Sequence, residues 1–211
     1  MSFMNNNPVI CAPDQPNAIF FAATRDTLLD TEIYSRFVYS CENNFRRSRF
    51  YKGYKGSLMN KGLYRDQDHA SITDEMAPIE LHHHFPTLKQ GTIMITEHML
   101  NTQGCVTTFE VVRKLEEAHR NNWFAIIMLS ETAHQVYESN PVQFISLSQC
   151  YGDPFKFIDH YIDGMTMDIA FKMLLQLKNE EVYNKQSFSP NMIKARDQLL
   201  DWSKNYTTFG T

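Results

Sequence analysis

The sequence predicts an α+β fold, mostly helical, organised around a small two-stranded sheet. Two short runs, residues 79–84 and 123–129, have the length and composition of strands. Elsewhere apolar residues recur at helical spacing between capping signals and proline or glycine stops.

Taken in order, residues 1–18 are polar and proline-bearing and read as an arm or loop. Leu28, Leu29, Ile33, Phe37 and Val38 recur with helical period and predict a helix from Ala23 to about Phe50. Gly53, Gly56 and Gly62 then interrupt a stretch in which Phe50, Tyr51, Tyr54 and Tyr64 interleave with Lys52, Lys55 and Lys61. The run Ile79-Glu80-Leu81-His82-His83-His84 ends at Phe85-Pro86, and strand alternation sends His82 and His84 to one face and His83 to the other. Thr87 followed by Gln90 is a capping-box pattern for a helix that ends near Gly104. Thr107 with Glu110 repeats the pattern for the helix TFEVVRKLEEAHRNN. Trp123 to Leu129 reads as a buried strand, and Ser130 can cap the helix ETAHQVYES, stopped by Asn140-Pro141. Asp153-Pro154 and Ser189-Pro190 open further helices, with a third, MDIAFKMLLQLKNEEV, between them. Phe171, Leu174, Leu175 and Leu177 are expected in the core.

A chain of 211 residues with 43% hydrophobic and 21% charged residues can bury a good core. Three regions are expected: 1–70, helical, basic and aromatic; 71–145, holding the sheet with a helical insertion at 89–120; and 146–211, helical and packed on the rest. No run reaches the length of a membrane span, and the opening MSFMNNNPVICAPDQP lacks a basic segment followed by an apolar one. The expectation is therefore a soluble cytoplasmic protein, of the host cytoplasm if the chain is viral. Cys11, Cys41, Cys105 and Cys150 are widely spaced with no C-x-x-C pair, which offers neither a disulfide framework nor a cysteine-type zinc site.

The net charge of −4 hides an asymmetry. From Arg36 to Arg65 eight cations face one acid, Glu42. Arg46, Arg47, Arg49, Lys52, Lys55 and Lys61 are candidates for contacting a polyanion, and the interleaved rings suit stacking. The plainer alternative is a solvated basic face whose tyrosines pack on the core.

The chemistry-bearing residues are the histidines. His134 and Glu138, four apart, project from one face of their helix. With His82 from the strand they can hold one divalent ion, and His83 on the opposite strand face is free to take a proton from water. The bland readings are a surface histidine cluster and a solvated glutamate. His119 is a spare ligand candidate, or a helix-terminal histidine favoured by the dipole. His69, His98 and His160 receive no role.

Strand, strand and metal-bearing helix is the order of the ββα-metal motif, and IELHHHFP with NNWFAIIMLSETAHQVYE resembles the HNH endonuclease family over positions 79–138. The resemblance implies a small phage-type HNH protein that hydrolyses DNA, double-stranded DNA above all, with His83 as general base. It implies Asn122 as the residue orienting that base and His82, His134 and Glu138 as metal ligands. The ion implied is Mg²⁺ first, with Mn²⁺, Ni²⁺ or Zn²⁺ acceptable to imidazoles. Three departures accompany it. Ala125 stands in the usual asparagine slot, Glu138 where many members place a histidine, and Ser130 and Ala133 where zinc-knuckle cysteines occur. These departures keep open a non-catalytic nucleic-acid-binding or assembly protein with an HNH-like fold, and a purely structural metal site. Oligomeric state and sequence specificity are not legible.

Overall fold

The computed structural model describes residue 20 and residues 22–139, 144–184 and 190–207. Its elements run β1 (Ala23–Thr24), α1 (Thr31–Arg47), α2 (Arg49–Asn60), β2 (Ile79–Phe85), α3 (Leu88–Gln103), β3 (Cys105–Val106), α4 (Thr108–Arg120), β4 (Ala125–Ser130), α5 (Glu131–Ser139), α6 (Pro154–Tyr161), α7 (Met167–Asn184) and α8 (Pro190–Thr207). The fold is α+β and mostly helical, as the periodicity predicts.

Strands β2 and β4 form an antiparallel pair in which His82 opposes Ile127 and His83 opposes Ile126. A second small sheet pairs β1 with β3. It ties the chain before α1 to the link between the two helices of the 89–120 insertion, so that insertion is built into the fold. All six residues of β4 are buried, which is why it reads as a continuous apolar run without alternation. Helices α1, α3 and α4 pack on one another, and α7 packs on α8. One hydrophobic cluster draws on all three expected regions, from Phe20 through Phe124 to Leu199.

The capping signals act where the sequence places them. Thr87 and Gln90 make the full reciprocal box at the start of α3. Gly104 ends α3 in the left-handed region. Asp153 caps α6, with Pro154 in its first turn. The Thr107 side chain accepts from the Glu110 amide, while its hydroxyl donates to Glu110 Oε2. Gly164 lies so close to α3 that a Cβ there would sit 2.0 Å from the Met94 carbonyl oxygen.

Three expectations change. The first helix starts at Thr31, not Ala23, because the Asp30 carboxylate accepts from the amides of Glu32 and Ile33 and caps it there. The preceding Thr27–Leu29 is a 3-10 turn that leaves Leu29 exposed. The second strand starts at Ala125, because Asn121 to Trp123 are used in ending α4. Phe171 and Leu175, expected in the core, face solvent at 67% and 47% exposure. Leu177 is buried as expected, and Ile169, Ala170 and Met173 complete its stripe on α7, one that the all-round apolar sequence does not single out. The stops at Asn140-Pro141 and Ser189 lie outside the described residues.

Candidate functional site

The β2–β4 pair followed by α5 divides the histidines between two environments, as strand alternation requires. On the outer face His82 lies 6.2 Å from His84 and 4.8 Å from His134, ring centre to ring centre. The expected meeting of His82 with His134 across some fifty residues is therefore present. Among the described residues the carboxylate beside them is Glu80, whose Oε2 is 2.5 Å from His134 Nδ1. Burial first, and then the neighbouring imidazoles, push the His82 pKa down to about 4. Burial likewise brings His84 to about 4, and its Nε2 is buried without a hydrogen-bond partner.

These residues do not form a ready ligand set. Among the described residues no group of three or more His, Cys, Asp or Glu side chains is placed to hold a metal ion. Glu138 lies on α5, but its side chain is outside the described residues. Glu80 engages Nδ1 of His134, so that an ion there would have to use the other ring nitrogen, Nε2.

On the inner face His83 is 7% exposed. Its Nε2 lies 2.7 Å from Nε2 of His119, which is fully buried. His119 Nδ1 donates to the Leu115 carbonyl oxygen at 2.6 Å. Since His119 is held at a pKa of about 4 by burial, it is neutral with a bare Nε2, and His83 must be the donor between the two rings. Burial, then His119 and Arg46, hold His83 well below the ordinary imidazole range. Phe45, Tyr51, Tyr54 and Phe124 wall the pair in. His83 thus faces packed rings, where the sequence reading placed it beside water. His119 is a core histidine with both ring nitrogens engaged inside the chain.

Asn122 has a local explanation. It sits at φ 54 just after α4. Its amide donates to the His119 carbonyl, and the Trp123 amide donates to that of Ala118. This is the Schellman pattern, in which a left-handed asparagine ends a helix. The structure gives Asn122 a helix-ending role through its backbone.

A hub that the sequence reading missed is Asp66, fully buried beside the β4–α5 junction. Its Oδ2 accepts from the Ser130 amide (2.8 Å) and hydroxyl (2.6 Å), and its Oδ1 from the amides of Asp68 and His69. Burial opposes the charge, but these four donors outweigh it and hold the carboxyl below its ordinary value. The Gln67 amide donates to the Met128 carbonyl and the Met128 amide to Gln67 Oε1, which fastens this loop to the side of β4. The Asp66-Gln67-Asp68 spacing was the available signal, as an Asx-turn pattern.

Of the six expected polyanion contacts, Arg46 and Arg47 end α1, Arg49, Lys52 and Lys55 lie on α2, and Lys61 follows the far end of α2. Arg46, Arg47, Arg49, Lys52 and Lys61 are exposed and Lys55 is half-buried. Lys61 also reaches the Tyr151 hydroxyl at 3.1 Å.

A family model for bacteriophage G278-like virion proteins matches residues 14–205. The chain belongs to that family. Membership in the G278-like virion family agrees with the phage origin implied by the HNH resemblance, and the family's description is of a particle protein. No curated protein and no solved structure matches the chain. Among the described residues no helix is long and apolar enough to cross a membrane.

Proposed function

We propose that this G278-like virion protein is a structural or assembly component of the phage particle, and that its strand–strand–helix unit is a scaffold with no cleavage role. The observation that supports this reading is the His83–His119 pair. A general base must exchange protons with water and hold a pKa near the working pH. His83 has its Nε2 committed to His119, a pKa far below neutrality and aromatic rings around it.

The rival reading, metal-dependent hydrolysis of DNA, draws on one observation, the 4.8 Å approach of His82 and His134. It requires His83 to leave the core.

The two readings separate in one pair of experiments. Supercoiled plasmid incubated with the purified protein and Mg²⁺ or Mn²⁺ is expected to stay intact, while mass spectrometry of purified particles finds the chain as a stoichiometric component. Nicking by the wild type that disappears in His83→Ala would overturn the proposal.

A further inference from the structure

Residues 43–65 hold seven cations and no acid, in a chain whose net charge is −4. The structure folds most of this stretch into a corner, α1 meeting α2 at Ser48, whose side chain caps α2 by accepting from the Tyr51 amide. Helical spacing then sorts the residues. Tyr51, Tyr54 and Leu58 turn inward, with Tyr51 and Tyr54 set against His83 and His119. Arg49 and Lys52 line the outer side, Lys55 stands half-buried on its flank next to Tyr51, and Arg46 and Arg47 close the corner.

Two glycines share that outer side. On the helical wheel Gly53 and Gly56 fall beside Arg49 and Lys52. Neither has a positive φ, and a Cβ at either would meet nothing within 4 Å. Each glycine weakens the helix relative to alanine. Neither backbone conformation nor packing within the chain calls for them. Their effect is to leave a strip of bare helix backbone flanked by cations, against which a rigid anionic surface can come close.

The aromatic residues decide what kind of polyanion fits. Single strands are held by bases stacked on exposed rings. Here Tyr51 and Tyr54 are turned to the core, and Tyr64, 44% exposed, lies under the Arg65 guanidinium at 5.2 Å. What remains is charge and a smooth contour, which suit the phosphodiester backbone of a duplex and carry no base readout.

We infer that the α1–α2 corner is a landing face for double-stranded DNA, gripping its phosphates without reading sequence. This stands independently of whether the chain cleaves DNA.

The test is fluorescence anisotropy with a labelled duplex of arbitrary sequence, titrated with full-length protein between about 50 and 200 mM salt. Wild type is expected to bind with a steep salt dependence. The triple variant Arg49→Ala, Lys52→Ala, Lys55→Ala should bind at least about 10-fold more weakly at low salt and lower the salt slope by about 2 to 3, near one unit per lost phosphate contact. The double variant Gly53→Ala, Gly56→Ala should melt about 4 °C higher while binding about 3-fold or more weaker, because methyl groups now hold the duplex away. A fold defect cannot produce that combination. The inference is overturned if the triple variant keeps wild-type affinity and slope, or if the glycine variant binds as wild type does. It is equally overturned if a single strand of equal length or an anionic vesicle displaces the duplex at lower concentration.

Discussion

His134 Nδ1 lies 2.5 Å from Glu80 Oε2, which fastens α5 to β2 at the place where the HNH register would put an ion. The bond is half open to water, with the glutamate side chain 44% exposed and the histidine 21%. Its contribution is therefore moderate.

His134→Ala is expected to lower unfolding free energy by about 1 kcal/mol in urea titrations. Excess Zn²⁺ or Ni²⁺ should move the wild-type melting temperature by no more than about 1 °C, since an ion gains stability only by binding the folded form. A metal-dependent rise of several degrees that vanishes in His82→Ala would show that these rings do collect an ion.

The His83–His119 pair predicts a strong coupling. His119→Leu removes the acceptor for a buried His83 N–H and should cost about 2 to 4 kcal/mol. Changing both residues to Leu removes donor and acceptor together and should recover at least about 1 kcal/mol of that loss. A double-mutant cycle in denaturant checks the sign. Additive losses would mean that the two rings merely touch.

Acid should destabilise the protein well above the carboxylate range. His82, His84 and His119 have folded pKa values of about 4, and His83 is likewise held well below the ordinary value of 6.5. Below pH 6.5 the unfolded chain takes up protons that the folded chain refuses, so stability falls from about pH 6.5 down to about pH 4 and is fully present above that window. His119, fully buried, accounts for about 3 kcal/mol of the fall. Chemical denaturation midpoints measured from pH 7.5 to 5 should show the decline, and the His83→Leu, His119→Leu variant should flatten it. A flat wild-type profile would contradict the burial of these rings.

The outer and inner faces of β2 were legible because a strand has period two, so three successive histidines had to split two and one. The helix starts were legible where a cap acts on its own neighbours, as Thr87 does on Gln90. Partners supplied across the sheet were not. Glu138, four residues from His134, is the local choice, and its side chain lies outside the described residues. The register of β2 against β4 and the packing of α5 also bring in Glu80 from 54 positions away. His83 met a similar limit: alternation places it opposite His82 but does not say whether that face meets solvent or α4. Helix α7 is apolar on too many sides for its sequence to say which stripe is buried, and Phe171 shows the result.

Asp66 offers the sharpest separation between a structural carboxylate and the histidine titrations. Its two oxygens receive four donors, two of them from Ser130, 64 positions later, so the loop before β2 and the start of α5 are joined through one charge. Asp66→Asn keeps the size but turns an NH₂ group toward amide or hydroxyl donors, and should cost about 3 kcal/mol or more. Ser130→Ala removes one hydroxyl and leaves three donors in place, so about 1 kcal/mol is expected. The carboxyl pKa is held below its ordinary 3.8. Its stabilisation is thus complete above that value and is lost only as pH falls through the lower folded pKa. Between pH 6.5 and 4, Asp66→Asn should therefore lower the whole stability profile without changing its slope, whereas the histidine variants change the slope. A slope change in Asp66→Asn within that window would mean that Asp66 is coupled to an imidazole, and His69, whose Nδ1 lies 3.9 Å from Asp66 Oδ1, is the ring within reach.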